Sequence, residues 1–89
     1  MTRRTKIEIV FDLLSLIQRK GGKIKPTHAL YGVNLSYDRL KIYVEEMQKK
    51  GLINLVQEKN KTFYRITDQG HNFVSEYKKV KELTDAFGL

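Results

Sequence analysis

Cysteine is absent from the 89 residues, so neither a disulfide nor a thiolate metal site can lend this chain stability. The same absence argues against a small secreted scaffold and for a reducing interior. Long apolar runs are missing as well. Residues 7–17 are rich in apolar groups, but Glu8, Asp12 and Ser15 interrupt them, which excludes a bilayer span. The basic start of the chain is not followed by a signal-peptide core with a cleavage site. A chain of this length makes one small domain and buries only about 60–65% of the surface its unfolded form exposes. It is marginal alone, and a second subunit would help it.

Acidic side chains are in short supply, with 10 Asp+Glu against 17 Lys+Arg, a formal charge of +7 and a pI near 9.7. The shortage is local. Residues 1–41 hold nine Lys/Arg and three Asp/Glu, a net of +6, whereas residues 42–89 hold eight and seven, a net of +1. A concentrated basic surface favours a polyanion, nucleic acid first and an anionic membrane second. Surface lysine serving solubility explains the charge alone equally well. Catalytic arrangements are missing too. Ser15, Ser36 and Ser75 have no glycine-rich elbow, no phosphate loop occurs, and the acids read as surface helix positions. His28 and His71 stand far apart with no carboxylate cluster, so no metal is expected. The expectation is a non-enzyme without cofactor, small-molecule ligand or membrane partner.

What is present is a succession of short elements. "TKIEIVFDLLSLIQRKGG" (5–22) reads as a helix, with Ile7, Val10, Leu13, Leu14 and Ile17 at helical spacing. Thr5 caps it with Glu8 three residues on, and Gly21-Gly22 ends it. Ile9, Phe11 and Leu16 widen the apolar arc, so this helix is covered on more than one side. "GKIK" is extended, and Pro26 suits the first turn of a brief second helix. "GVNLS" turns the chain with Leu35 inward, and Ser36 caps a third helix whose inner face is Leu40, Tyr43, Val44 and Met47. Asp38, Lys41, Ile42, Glu45 and Lys49 share its outer face until Gly51 stops it. The runs "LINLVQ" (52–57) and "TFYRIT" (62–67) follow, joined by "EKNK", where Asn60 can take the left-handed conformation. Thr67 then caps a last helix.

Three helices and a hairpin describe a winged helix-turn-helix, mainly α with a small β-hairpin (α+β). "GGKIKPTHALYGVNLSYDRLKIYVEEMQKKGLI" followed by "YRITDQG" resembles the small archaeal winged-helix DNA-binding proteins, chromatin-type dimers and viral relatives among them. The resemblance runs roughly from Arg4 to Leu89. "YRITDQG" is similar to the Tyr-x-Leu-Thr-x-x-Gly signature closing the second wing strand, with Ile66 standing for Leu. The wing departs from the pattern, because "EKNK" has no glycine at its tip.

The resemblance implies a DNA-binding unit over residues 1–70 and a C-terminal dimerisation helix over 68–89. In that reading Tyr37, Arg39, Lys41 and Ile42 meet base edges and phosphates, with Ser36 at the helix start. Arg39 and Lys41 suit guanine or phosphate, and Ile42 suits a thymine methyl. Asp38 is expected to accept from cytosine, to orient Arg39, or simply to favour the helix dipole. Lys25, Thr27 and His28 open the second helix, whose free amides can hold a phosphate. Lys59, Asn60 and Lys61 form the wing tip, and Arg3 and Arg4 a short basic arm without fixed order. Along the last helix Phe73, Tyr77, Val80, Thr84 and Phe87 follow a four-three spacing, a coiled-coil seam for a homodimer. Leu83 either joins that interface or packs with Val74 on the first helix. The expected protein is a homodimeric regulator or an architectural chromatin-like protein on double-stranded DNA, located with the nucleoid in the cytoplasm. The alternative is a protein-interaction winged helix. Duplex RNA is disfavoured, since a helix cannot read its deep major groove.

Overall fold

A computed structural model describes residues 4–89. The elements run α1 (Lys6–Arg19), β1 (Lys23–Ile24), α2 (Pro26–Val33), α3 (Tyr37–Lys49), β2 (Ile53–Glu58), β3 (Lys61–Ile66) and α4 (Asp68–Ala86). The strands form one antiparallel sheet in the order β1-β3-β2. No helix among the described residues is long and apolar enough to cross a membrane.

Capping fixes where the helices begin. The Thr5 hydroxyl accepts from the Glu8 amide while the Glu8 carboxylate accepts from Thr5, a complete capping box for α1. Ser36 opens α3 by accepting from the Arg39 amide at 3.3 Å. Thr67 opens α4 by accepting from Gly70 at 3.1 Å, and its hydroxyl donates to the Gly51 carbonyl at 2.5 Å. That second bond ties the start of α4 to the turn leaving α3.

The core is built chiefly from α1, whose buried face is wider than its central stripe. Ile9, Leu13, Leu14 and Ile17 are almost fully enclosed, and Leu16 is buried under α2. Ile7 departs from expectation: it stays about half exposed, because the first turn of α1 borders an open cleft beside Met47 and Phe73. Leu40, Val44 and Met47 bring α3 onto this core, Ile24, Ile53 and Ile66 bring the sheet, and Val74 brings α4.

The wing differs from its sequence reading in two ways. Its strands are one residue longer at the tip, so a two-residue turn, Lys59-Asn60, replaces a four-residue connection. Both residues have positive φ, 49° and 64°, as a type I′ turn requires. Asn60 tolerates this readily, whereas Lys59 carries the strain that a glycine would avoid. The second difference is β1. "GKIK" pairs with β3 through Lys23↔Arg65 and Ile24↔Tyr64, so the hairpin is the larger part of a three-stranded sheet.

Candidate nucleic-acid interface

Asn34, with φ at +55°, ends α2 in the left-handed region, and Leu35 plugs the turn into the core. Those two residues set how α3 leaves α2. With Leu40, Val44 and Met47 held inward, helical geometry turns Tyr37, Asp38, Arg39, Lys41 and Ile42 outward. All five are exposed, Tyr37 at 65% and Ile42 at 63%. Among the described residues Arg39 and Lys41 have no acidic partner, and Asp38 makes no bond to Arg39. Asp38 lies in the first turn of α3, where the helix dipole favours a carboxylate, and its carboxylate is left without a side-chain partner among the described residues.

Tyr37 lies close enough to Tyr64 of β3 to influence its ionisation. Burial, and then proximity to Tyr37, raise the Tyr64 phenol above its ordinary value. The wing face that carries Ile66 into the core thus continues through Tyr64 towards the start of α3. Leu55 lies opposite Tyr64 in the register and remains exposed.

At the start of α2, Lys25 occupies the cap position without a side-chain bond, and Pro26 follows. Thr27 and His28 are exposed there, and their amides belong to the turn that lacks intrahelical acceptors. Lys59, Asn60 and Lys61 are exposed at the wing tip, and neither lysine is in an ion pair among the described residues. Lys23, by contrast, is engaged. It pairs with Glu58 at 2.6 Å and sits 4.7 Å over the Phe63 ring.

The basic arm requires correction. Arg4 bonds Asp12 at 2.9 Å and donates to the Val33 carbonyl at 2.5 Å, so it straps the start of α1 to the end of α2. A guanidinium with two internal acceptors is a fixed part of the fold. Arg3 lies outside the described residues. Sequence reading also passed over two exposed groups. Tyr31 projects from α2, and Arg65 stands beside Lys23 and Asn54 on the outer face of the sheet. Alternation with the inward Tyr64 and Ile66 could have identified Arg65. The inward Ala29, Leu30 and Val33 could have identified Tyr31.

The expected seam on α4 divides in two. Phe73 and Tyr77 stack with ring centroids 6.1 Å apart, and Tyr77 meets Phe11 of α1 at 4.6 Å. These two are partly covered by their own chain. Thr84 turns its hydroxyl back to the Lys81 carbonyl. Val80, Leu83 and Phe87 are 55%, 59% and 73% exposed. Leu83 therefore does not pack on α1 as Val74 does; α4 has passed beyond the core by that point.

Three helices, a capped turn into an outward-facing third helix and a β-wing define a class of protein. Residues 3–85 match the winged helix-turn-helix family, and the chain belongs to it. Among solved structures it is similar to Sso10a-2, a DNA-binding protein from Sulfolobus solfataricus, at 24% identity and TM-score 0.79, covering 94% of this chain and 85% of that one. It is similar to AF1382 from Archaeoglobus fulgidus at 13% identity and TM-score 0.72, covering 94% and 91%. The oxidised form of MarR from E. coli matches at 19% identity and TM-score 0.71, covering 86% of this chain and 60% of that one. No curated protein sequence matches the chain. At these identities the likeness is one of fold.

Proposed function

We propose that this chain binds double-stranded DNA as a homodimer, with residues 1–70 as the DNA-binding unit and 68–89 as the assembly element. The observation that carries the reading is the outer face of the first turns of α3. Among the described residues Arg39 and Lys41 stand exposed without acidic partners, beside an isoleucine left in water, on a helix whose Leu40, Val44 and Met47 are buried behind it. A helix inserted in the major groove uses all three. Arg39 and Lys41 donate to guanine O6/N7 or to phosphate, and Ile42 packs on a thymine methyl. Tyr37 donates or stacks, and Asp38 accepts from cytosine. The Ser36 oxygen is occupied as a cap, leaving its O–H for a phosphate.

Lys25 with the amides of Thr27 and His28, and Lys59, Asn60 and Lys61 at the wing tip, hold backbone phosphates on either side. Arg4 is left out of this set by its internal bonds. The role is non-catalytic, on nucleoid DNA in the cytoplasm, as a transcriptional regulator or an architectural protein. That Sso10a-2 is itself a DNA-binding protein supports the reading. The exposed Ile42 and Tyr31 favour one second reading, a surface that docks another protein.

Affinity for duplex DNA measured against salt tests the proposal. Each neutralised phosphate contributes a slope of about −0.9 in log K against log salt, so binding weakens steeply towards physiological salt. Binding that stays constant across that range overturns it. Selection from random oligonucleotides then separates the two roles: a regulator enriches a site, and an architectural protein enriches little.

A further inference from the structure

An apolar cleft of about 430 Å³ opens where the first turn of α1, the end of α3 and the start of α4 diverge. Val10, Met47 and Leu52 line it together with Ile7 and Phe73. Val10 and Met47 are buried, Leu52 and Phe73 are half-buried, and Ile7 leaves about half its surface in water. Exposed apolar surface gathered in one concave place is unfavourable in water, and patches of this kind mark binding sites. The volume falls within the range of about 300–1,000 Å³ that small-molecule sites occupy.

The polar groups around the cleft narrow what such a molecule can be. Thr5 spends its hydroxyl on the capping box, accepting from the Glu8 amide and donating to the Glu8 carboxylate at 3.0 Å. Lys6 is bonded to Glu46, so those two charges offset each other. The Leu52 amide donates to the Met47 carbonyl at 2.9 Å, and the Leu52 carbonyl accepts from Thr67 at 3.1 Å. Lys50 remains. It lines the cleft, is exposed, and takes part in no ion pair among the described residues. An apolar enclosure with one free cation at its edge suits a hydrocarbon body that carries one negative end. A neutral hydrocarbon leaves the ammonium unused, and a compact anion such as phosphate exchanges its hydration for apolar walls at a loss.

We propose that this cleft binds a small monocarboxylate with an apolar body, of the medium-chain fatty-acid class. Its hydrocarbon lies between Ile7 and Phe73 over Met47, and its carboxylate meets Lys50. The cleft shares no residue with the outward face of α3, so the proposal stands apart from the DNA reading above. A molecule seated there touches α1, the last turn of α3 and the first turns of α4 at once.

The sequence supplies its own reporter, because Met1 and Met47 are the only methionines and the second lines the cleft. The full chain with methyl-labelled methionine is followed by NMR while decanoate or decanol is added below its micelle concentration. Decanoate is expected to shift the Met47 methyl saturably and to bind about fivefold tighter than decanol, the worth of one exposed ion pair. Lys50→Gln, a change at an exposed position, should bring the two affinities together and leave that for decanol unchanged. Ile7→Asp takes away part of the apolar wall and should weaken both ligands severalfold. A Met47 methyl that moves with neither ligand, or that shifts without saturating, overturns the proposal. So does equal binding of the two by the unmodified chain, or a preference for decanoate that survives in Lys50→Gln. A Met47 signal that follows chain concentration and ignores both ligands gives the cleft to a second copy and overturns it as well.

Discussion

At the residue scale, reading a base and gripping a phosphate make different demands. Arg39 projects from a helix whose position is fixed by three buried side chains, whereas Lys61 sits on a wing tip beside a two-residue turn. Arg39→Ala is expected to cost about 1–3 kcal/mol on a preferred site and much less on random DNA. Lys61→Ala should weaken all sequences alike and lower the salt slope by about one. Fluorescence anisotropy on selected and scrambled duplexes, each over a salt series, measures both. If Arg39→Ala acts equally on the two duplexes, Arg39 is a phosphate contact. Legibility at this scale was uneven. Exposure of Arg39, Lys41 and Ile42 followed from helical spacing alone. The engagement of Arg4 did not, because its partners Asp12 and the Val33 carbonyl come together only after α1 and α2 have packed. Nor did the positive φ of Lys59, since nothing about a lysine announces it.

At the scale of elements, the "YRITDQG" run does its work through close approach. A Cβ built on Gly70 would lie 2.4 Å from the Leu52 carbonyl oxygen and 2.6 Å from Ile66 Cγ1. The first of these is backbone and cannot swing aside. Gly70→Ala must therefore push α4 away from the sheet and loosen the Thr67 bond to Gly51. We expect a loss of about 1–3 kcal/mol in urea unfolding, against the small gain that glycine-to-alanine usually brings in a helix. A stability equal to or above that of the unmodified chain would falsify this account of the signature. Helices were legible in sequence because capping residues and the 3.6-residue period both mark them, and α1, α3 and α4 begin at their caps as read. β1 was not legible as a strand. Two residues cannot show a period, and their pairing partner lies about forty residues away. The half-exposure of Ile7 escaped for a related reason: helical spacing tells which residues share a face, and only the packed neighbours tell how far along the face the cover extends.

At the scale of the whole molecule, the long dimension of 48 Å against 29 and 22 Å belongs to a core with an appendage. An isolated helix of this length is marginal in water, so the distal part of α4 needs a surface to bury against. The double variant Val80→Glu/Phe87→Glu alters only exposed positions. It is expected to become monomeric and to lose most DNA affinity, while the unfolding of the core remains cooperative. Sedimentation velocity and circular dichroism read the two outcomes separately. A variant that stays dimeric would move the interface elsewhere, most directly to the apolar face of α1.

The Thr67 clamp and the unbroken run of α4 after Gly70 have a consequence for pitch. The helix is fastened at its root to the turn that leaves α3, and no glycine or proline interrupts it between residues 71 and 87. In a paired assembly it acts as a rigid axle between two reading heads. Each residue added to it would advance one head by about 1.5 Å and rotate it by about 100°. DNA repeats its grooves about every 34–36 Å, so the heads meet successive grooves only when their separation and angle are both in phase with that repeat. The number of residues in α4, more than their identity, would then be the quantity that sets which spacing of half-sites the protein can span.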